Sequence, residues 1–228
     1  MRMMAPVERT AVARMIDHTL LAPEATPERV RALCAEAVAL GVGAVCVSPN
    51  QVAVAAERLR GADVALASVV GFPSGAHRAD VKAEEGRAAV ADGATELDMV
   101  VPLGAVVDGD WSAVAAHVAA VRAAAPAPVV LKVIVESALL SGEQLDRVCA
   151  EEVAAGADYV KTSTGFHPAG GATVEAVRRM RAAVGADIGV KASGGIRDAA
   201  TAIAMIEAGA TRIGASATAA ILAGLDAG

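Results

Sequence analysis

Cysteine is scarce in this 228-residue chain, and the three present, Cys34, Cys46 and Cys149, lie far apart. They make no paired pattern, which argues against both a disulfide framework and a cysteine zinc site. Histidine is also thin: His18, His77, His117 and His167 are dispersed, without an H-x-x-x-H or carboxylate–histidine cluster to suggest a metal. Positive charge is not in excess. The 20 Lys and Arg stand against 26 Asp and Glu, a net charge of −6, with no basic run, so a nucleic-acid partner is not expected. No apolar run is long enough for a bilayer, because the longest uncharged stretch, 37–56, is broken by Ser48-Pro49-Asn50-Gln51. The opening residues, Met1-Arg2-Met3-Met4 and onward, lack the apolar core of a signal peptide, so a cytoplasmic protein without a membrane partner is expected.

What remains is the composition of a folded chain. With 55% hydrophobic and 20% charged residues it is too apolar for disorder. The length suits one domain spanning 1–228. One further shortage is informative. Lysine occurs four times, at Lys82, Lys132, Lys161 and Lys191, against 16 arginines. Three of the four sit in short apolar runs, VVLKVIV, DYVKTS and IGVKAS. Arginine stays charged and cannot serve as an amine nucleophile, whereas a desolvated lysine can.

The chain alternates throughout. β-Branched runs occur at 15–20, 44–48, 64–70, 95–101, 128–135, 158–162, 187–192 and 211–214. Between them lie alanine-rich segments of helical character, including 27–40, 78–91, 141–155 and 174–184. Strict alternation implies a parallel sheet with crossover helices. Gly-Ala pairs at 93–94, 156–157 and 209–210, and the variant Gly41-Val42-Gly43-Ala44, mark helix ends just before strands. Eight βα units fill the chain and fit a closed (β/α)8 TIM barrel of the α/β class. An open doubly wound sheet has similar content, but no G-x-G-x-x-G opens the first unit.

Barrel enzymes carry their sites at the carboxyl ends of the strands. Asp17, Asp98, Lys132, Glu136, Lys161 and Lys191 fall there, and the spacing of Lys132, Ile134 and Glu136 puts both charges on one strand face. Outward positions must pack on helices, so these charges are expected to point inward. They could simply neutralise one another as interior ion pairs. Alternatively, two lysines in one dry site disfavour each other's charge, and the free amine forms an iminium with a carbonyl substrate. Lys161, Lys191 and Asp98 supply an amine, a second lysine and a carboxylate for carbon–carbon cleavage and proton transfer, with no metal or cofactor.

Glycine turns follow the seventh and eighth runs, at Ser193-Gly194-Gly195 and Gly214-Ala215-Ser216. Turns at these two places form the common phosphate site of this architecture, because backbone N–H groups and a helix N-terminus favour an anion. Glycine at 195 and 214 is expected to permit close backbone approach to a phosphate.

The runs IDHTLLAPEAT, ELDMVVPLG, LKVIVES, YVKTSTGF, VKASGGIR and TRIGAS, in this order, resemble the deoxyribose-phosphate aldolase family over about 16–216. The resemblance implies a class I aldolase that cleaves 2-deoxy-D-ribose 5-phosphate to D-glyceraldehyde 3-phosphate and acetaldehyde, in deoxyribonucleotide catabolism. It implies Lys161 as the Schiff-base lysine, Lys191 as the neighbour that tunes it and exchanges protons, and Asp98 as a proton relay. Lys132 and Asp17 would support them, and Gly165, Gly194, Gly195, Gly214, Ala215 and Ser216 would bind phosphate. Small phosphosugars and aldehydes would be the partners, and a homodimer is common in the family. The chain departs from some members in three ways: Phe166 follows K-T-S-T-G in place of a lysine, Ala217 replaces a serine, and the only tyrosine is Tyr159 rather than one in a terminal tail. Cys46 is expected to be a small buried residue.

Overall fold

The computed structural model describes residues 8–226. Its strands are β1 (Ile16–Leu20), β2 (Ala44–Val47), β3 (Ala65–Val70), β4 (Glu96–Val100), β5 (Val130–Ile134), β6 (Tyr159–Lys161), β7 (Gly189–Ser193) and β8 (Arg212–Ala215). Each pairs in parallel with the next, and β8 pairs with β1, so the sheet closes in sequence order. The helices are α1 (Arg9–Arg14), α2 (Pro27–Leu40), α3 (Val52–Arg58), α4 (Ala79–Ala91), α5 (Leu103–Asp108), α6 (Trp111–Ala124), α7 (Gly142–Ala154), α8 (Val174–Val184), α9 (Ala199–Glu207) and α10 (Thr218–Asp226). The expected barrel is therefore present, with two additions: α1 precedes the first strand, and two helices, α5 and α6, fill the connection from β4 to β5. Among the described residues no helix is long and apolar enough to cross a membrane.

The strands divide their residues by parity. Leu97 and Met99 of β4, Leu131 and Val133 of β5, Val160 of β6, Val190 and Ala192 of β7 and Ile213 of β8 belong to one apolar core between barrel and helices. Their sequence neighbours Glu96, Asp98, Lys132, Lys161, Lys191 and Arg212 turn to the barrel axis and meet one another there. Successive side chains of a strand must face opposite ways, so an apolar outer layer forces every intervening charge inward. His18 shows the rule from the other side. Next to inward Asp17, it lies outside the barrel, bonded to Thr218 Oγ1 of α10 at 2.8 Å and Glu36 Oε2 of α2 at 3.1 Å.

Helix ends follow the expected chemistry. Thr26, Ser141, Thr173 and Asp198 cap α2, α7, α8 and α9 through their side chains, Ser141 and Gln144 forming a reciprocal capping box. The glycines at the expected helix-to-strand junctions, Gly41, Gly93, Gly156 and Gly209, all have positive φ.

Tyr159 points inward one pleat below Lys161, with the Arg212 guanidinium 5.9 Å from its ring centre. Its ring occupies the space that a side chain at Gly189 would need, with ring carbons 2.1 Å from an ideal Cβ there. Gly189→Ala should therefore overpack the floor beneath the lysines, costing about 1–3 kcal/mol in urea unfolding. The Tyr159→Leu background should recover part of that loss. Equal costs in both backgrounds would show that the ring does not set the requirement.

Candidate active site

Three carboxylates and four cations meet inside the barrel. Asp98 is the hub: its Oδ1 accepts from Lys132 Nζ at 2.8 Å, and its Oδ2 accepts from both Lys161 Nζ and Lys191 Nζ at 2.6 Å. Lys191 also donates to Asp17 Oδ2. Lys132 reaches Glu96 Oε2 at 2.6 Å, and Arg212 bridges Glu96 at 2.6 Å and Asp17 at 3.3 Å. Asp17, Asp98, Lys132 and Lys191 are fully buried, and Lys161 is 3% exposed. Five of the six charges expected to point inward, Asp17, Asp98, Lys132, Lys161 and Lys191, thus converge.

Glu96 and Arg212 complete the cluster and were not singled out from the sequence. Both signals were present: Glu96 lies two residues before Asp98, on the same face, and Arg212 is a charge within an apolar strand. Glu136 behaves otherwise than its spacing suggested. β5 ends at Ile134, the chain turns, and Glu136 takes a left-handed conformation at φ 54°. Its Oε1 accepts from the Thr164 N–H at 2.8 Å, so it pins the loop after β6 and does not join the lysines. The two-residue rule failed because the strand stopped.

The electrostatics separate the lysines. Burial opposes the ammonium form of all three. On Lys132 the carboxylates Asp98, Asp17 and Glu96 outweigh burial, and on Lys191 Asp17 and Asp98 do so, raising both amines above the usual lysine value. On Lys161 burial prevails: Asp98 pulls the other way, the Lys191 charge adds to the effect of burial, and the net shift is downward. Burial also opposes the Asp98 and Asp17 carboxylates, yet their lysine neighbours, with Arg212 beside Asp17, hold both below the usual range. Lys161 is thus the one lysine of the three whose amine is shifted below the usual lysine value.

Above the charges lies a cavity of about 460 Å³, reaching from Lys161 to both glycine turns. Gly165, Gly194, Gly195, Gly214, Ala215 and Ser216 all line it, as does the exposed Arg197, a cation that the sequence reading passed over. The 163–173 loop lies directly on the turn after β7: an ideal Cβ at Gly194 would stand 2.9 Å from Gly171 Cα, and Ala172 N–H donates to the Gly194 carbonyl at 3.1 Å. Gly195 has φ +83° with open space beside it, as a backbone approach requires. Gly214 is glycine for a different reason. A Cβ there would meet Ser193 Cβ at 2.9 Å and Lys191 Cε at 3.2 Å, so its bareness makes room for the lysine stem.

Leu21, which also lines this cavity, forms a small apolar cluster with Cys46, Ala67 and Val69, and Phe72 packs against it. Cys46 is fully buried there, its thiol pushed up to about 11 by burial and by Asp98. It is small and buried as expected, yet close enough to feel Lys161 and Lys191. Phe72 meets Phe166 edge-to-face, with ring centres 5.2 Å apart.

A family model described as DeoC/LacD family aldolase matches residues 11–227. The chain belongs to this aldolase family. A deoxyribose-phosphate aldolase of Kocuria rhizophila is 57% identical over 220 residues, covering 96% of this chain and 99% of the relative. One from Mycobacterium tuberculosis is 56% identical over 227 residues, covering 98% and 100%. The deoxyribose phosphate aldolase from Aeropyrum pernix, described as a unique tetrameric structure, superposes with a TM-score of 0.90 at 35% identity, covering 96% of this chain and 92% of that one.

The pairing in this aldolase makes a pH prediction. Lys191→Met deletes the ammonium that, with burial, holds the Lys161 amine down, and leaves Asp98 with fewer cations to share. The Lys161 pKa should rise. With the neutral Lys161 amine as the proposed nucleophile, the rising limb of kcat/KM against pH should move to higher pH. An unmoved limb would show that Lys191 does not tune Lys161.

Proposed function

We propose that the chain is a class I deoxyribose-phosphate aldolase that works through a Schiff base on Lys161. The observation that carries this reading is the downward shift of a buried lysine hydrogen-bonded to Asp98, at the floor of a cavity that ends in two glycine turns. In the proposed cycle the Lys161 amine attacks C1 of the open-chain sugar phosphate, and loss of water leaves a protonated imine. Removal of the C3 hydroxyl proton then breaks the C2–C3 bond. Its electrons pass into the imine as an enamine, and C3 leaves as the aldehyde carbon of D-glyceraldehyde 3-phosphate. Protonation of the enamine at C2 and hydrolysis release acetaldehyde.

Asp98 and Lys191 flank Lys161 and are proposed to move these protons, through water or the substrate hydroxyl. Asp98 is a weak base while three ammonium groups hold it, and its basicity rises once Lys161 is neutral. Lys191 supplies a fixed charge that keeps Lys161 low, and Lys132 and Asp17 hold the hub in place. The turns at 194–195 and 214–216, with Gly165 and the N-terminal end of α10, are proposed to receive the phosphate. Arg197 supplies a cation at the same cavity, where Phe166 cannot. Small phosphosugars and aldehydes are then the partners, with a cytoplasmic role in deoxyribonucleotide breakdown and a homodimer as the proposed assembly.

Borohydride reduction with acetaldehyde, followed by peptide mapping, tests the reading. One adduct is expected on Lys161, and none should form in Lys161→Arg, which keeps a cation but loses the amine nucleophile. An adduct on Lys132 or Lys191 in the unsubstituted protein, or no adduct, would overturn the assignment.

A further inference from the structure

The fourth lysine, Lys82, lies outside the charge cluster and is nonetheless completely buried on α4. Its Nζ donates to the carbonyl of Val100, the last residue of β4, at 2.7 Å, two residues beyond Asp98. Its stem passes over Gly71, where an ideal Cβ would stand 2.7 Å from Lys82 Cε. Glu85, three residues further along the same helix, accepts from the Gly71 N–H at 2.6 Å. Two side chains of α4 therefore grip the start of the 71–75 turn and the end of the strand that carries Asp98. The turn is also laid down on that strand: Gly75 N–H donates to the Gly71 carbonyl at 2.8 Å, and a Cβ at Gly75 would fall 2.0 Å from the Val101 carbonyl oxygen. Phe72, the second residue of this turn, packs on Leu21, Cys46, Ala67 and Val69 and edge-on to Phe166.

We propose that Lys82 and Glu85 are positioning residues which hold the 71–75 turn so that Phe72 backs Leu21 and Phe166, the apolar wall that the two-carbon aldehyde meets beside Lys161. Burying an ammonium away from the reacting centre is costly, and burial pushes the Lys82 amine down to about 8. Filling space would need no charge, since a methionine is as long. An ammonium N–H donated to a strand-end carbonyl, with a carboxylate accepting from the N–H of the neighbouring turn, instead fixes a backbone path. Leu21 and Phe166, on which Phe72 packs, line the cavity beside Lys161 and offer an aldehyde only apolar contact, whereas the glycine turns and Arg197 of the same cavity offer N–H groups and charge to a phosphate. Loosening the turn should therefore affect the two substrates of aldol addition unequally.

The inference rests on the Schiff-base reading of Lys161. Borohydride trapping in the unsubstituted enzyme reads that step alone, so the two fail separately. The test is steady-state aldol addition of acetaldehyde to D-glyceraldehyde 3-phosphate by Lys82→Met, Glu85→Leu and Glu85→Gln. Lys82→Met and Glu85→Leu should raise KM for acetaldehyde by about five-fold or more, with KM for the phosphorylated aldehyde within about two-fold. Glu85→Gln keeps an acceptor oxygen for the Gly71 N–H and should restore both constants to within about two-fold of the unsubstituted enzyme. Glu85 is only half-buried, so its variants carry the test even where Lys82→Met fails to fold. An unchanged acetaldehyde KM in Glu85→Leu, or both KM values rising together, would overturn the proposal: that is the behaviour of residues that merely stabilise the fold.

Discussion

Four cations and three carboxylates share the barrel interior, and this imbalance organises the rest of the site. Arg212 keeps its proton under all ordinary conditions. Lys132 and Lys191 are held in the charged form by flanking carboxylates. The surplus then falls on Lys161, which hydrogen-bonds to Asp98 alone among the carboxylates and sits nearest the cavity. Losing that one proton brings the interior to neutrality. Two ammonium groups about 4 Å apart repel by on the order of 4 kcal/mol at an effective dielectric near 20, enough to make the arrangement selective. Stability is a poor explanation for such a cluster, since buried ion pairs seldom return more than their desolvation cost.

The same cluster depends on the layer outside it. Valine, leucine and isoleucine at alternate strand positions bury against the helices, and their packing fixes the register that brings Lys161 opposite Lys191 and Asp98 opposite Lys132. A slip of one residue would turn the lysines into that apolar layer. Glycines serve the arrangement locally: Gly189 clears space for Tyr159, Gly214 for the Lys191 stem, and Gly171 and Gly194 let the loop after β6 lie on the turn after β7. The geometry of the charge cluster is thus carried by apolar and bare residues that bear no charge themselves.

Much of this was legible beforehand because it rests on period two. The apolar runs located all eight strands to within a residue or two, and the helices 27–40 and 174–184 fall at their expected bounds. Asp17, Asp98, Lys132, Lys161 and Lys191 pointed inward as expected. The misses have physical causes. Glu136 departs because parity holds only while the strand lasts. Arg212 was hidden by arginine's usual place at surfaces, although its strand context was that of the lysines. Gly214 lines the anticipated cavity, but its glycine answers to a neighbour 23 residues away, which no local pattern records. Lys82 reads in sequence as an ordinary helix-face lysine, and only the packed turn beneath it reveals a role.

The central claim is that charge balance leaves Lys161, rather than Lys132 or Lys191, as the amine. Titration of ¹⁵N-lysine-labelled protein by NMR, with the resonances assigned by single substitutions, reads it directly. The account expects Lys161 to lose its proton below the pH at which an exposed lysine does, while Lys132 and Lys191 remain ammonium groups beyond it. A Lys161 ammonium that persists as long as theirs, or earlier deprotonation of either neighbour, would contradict it.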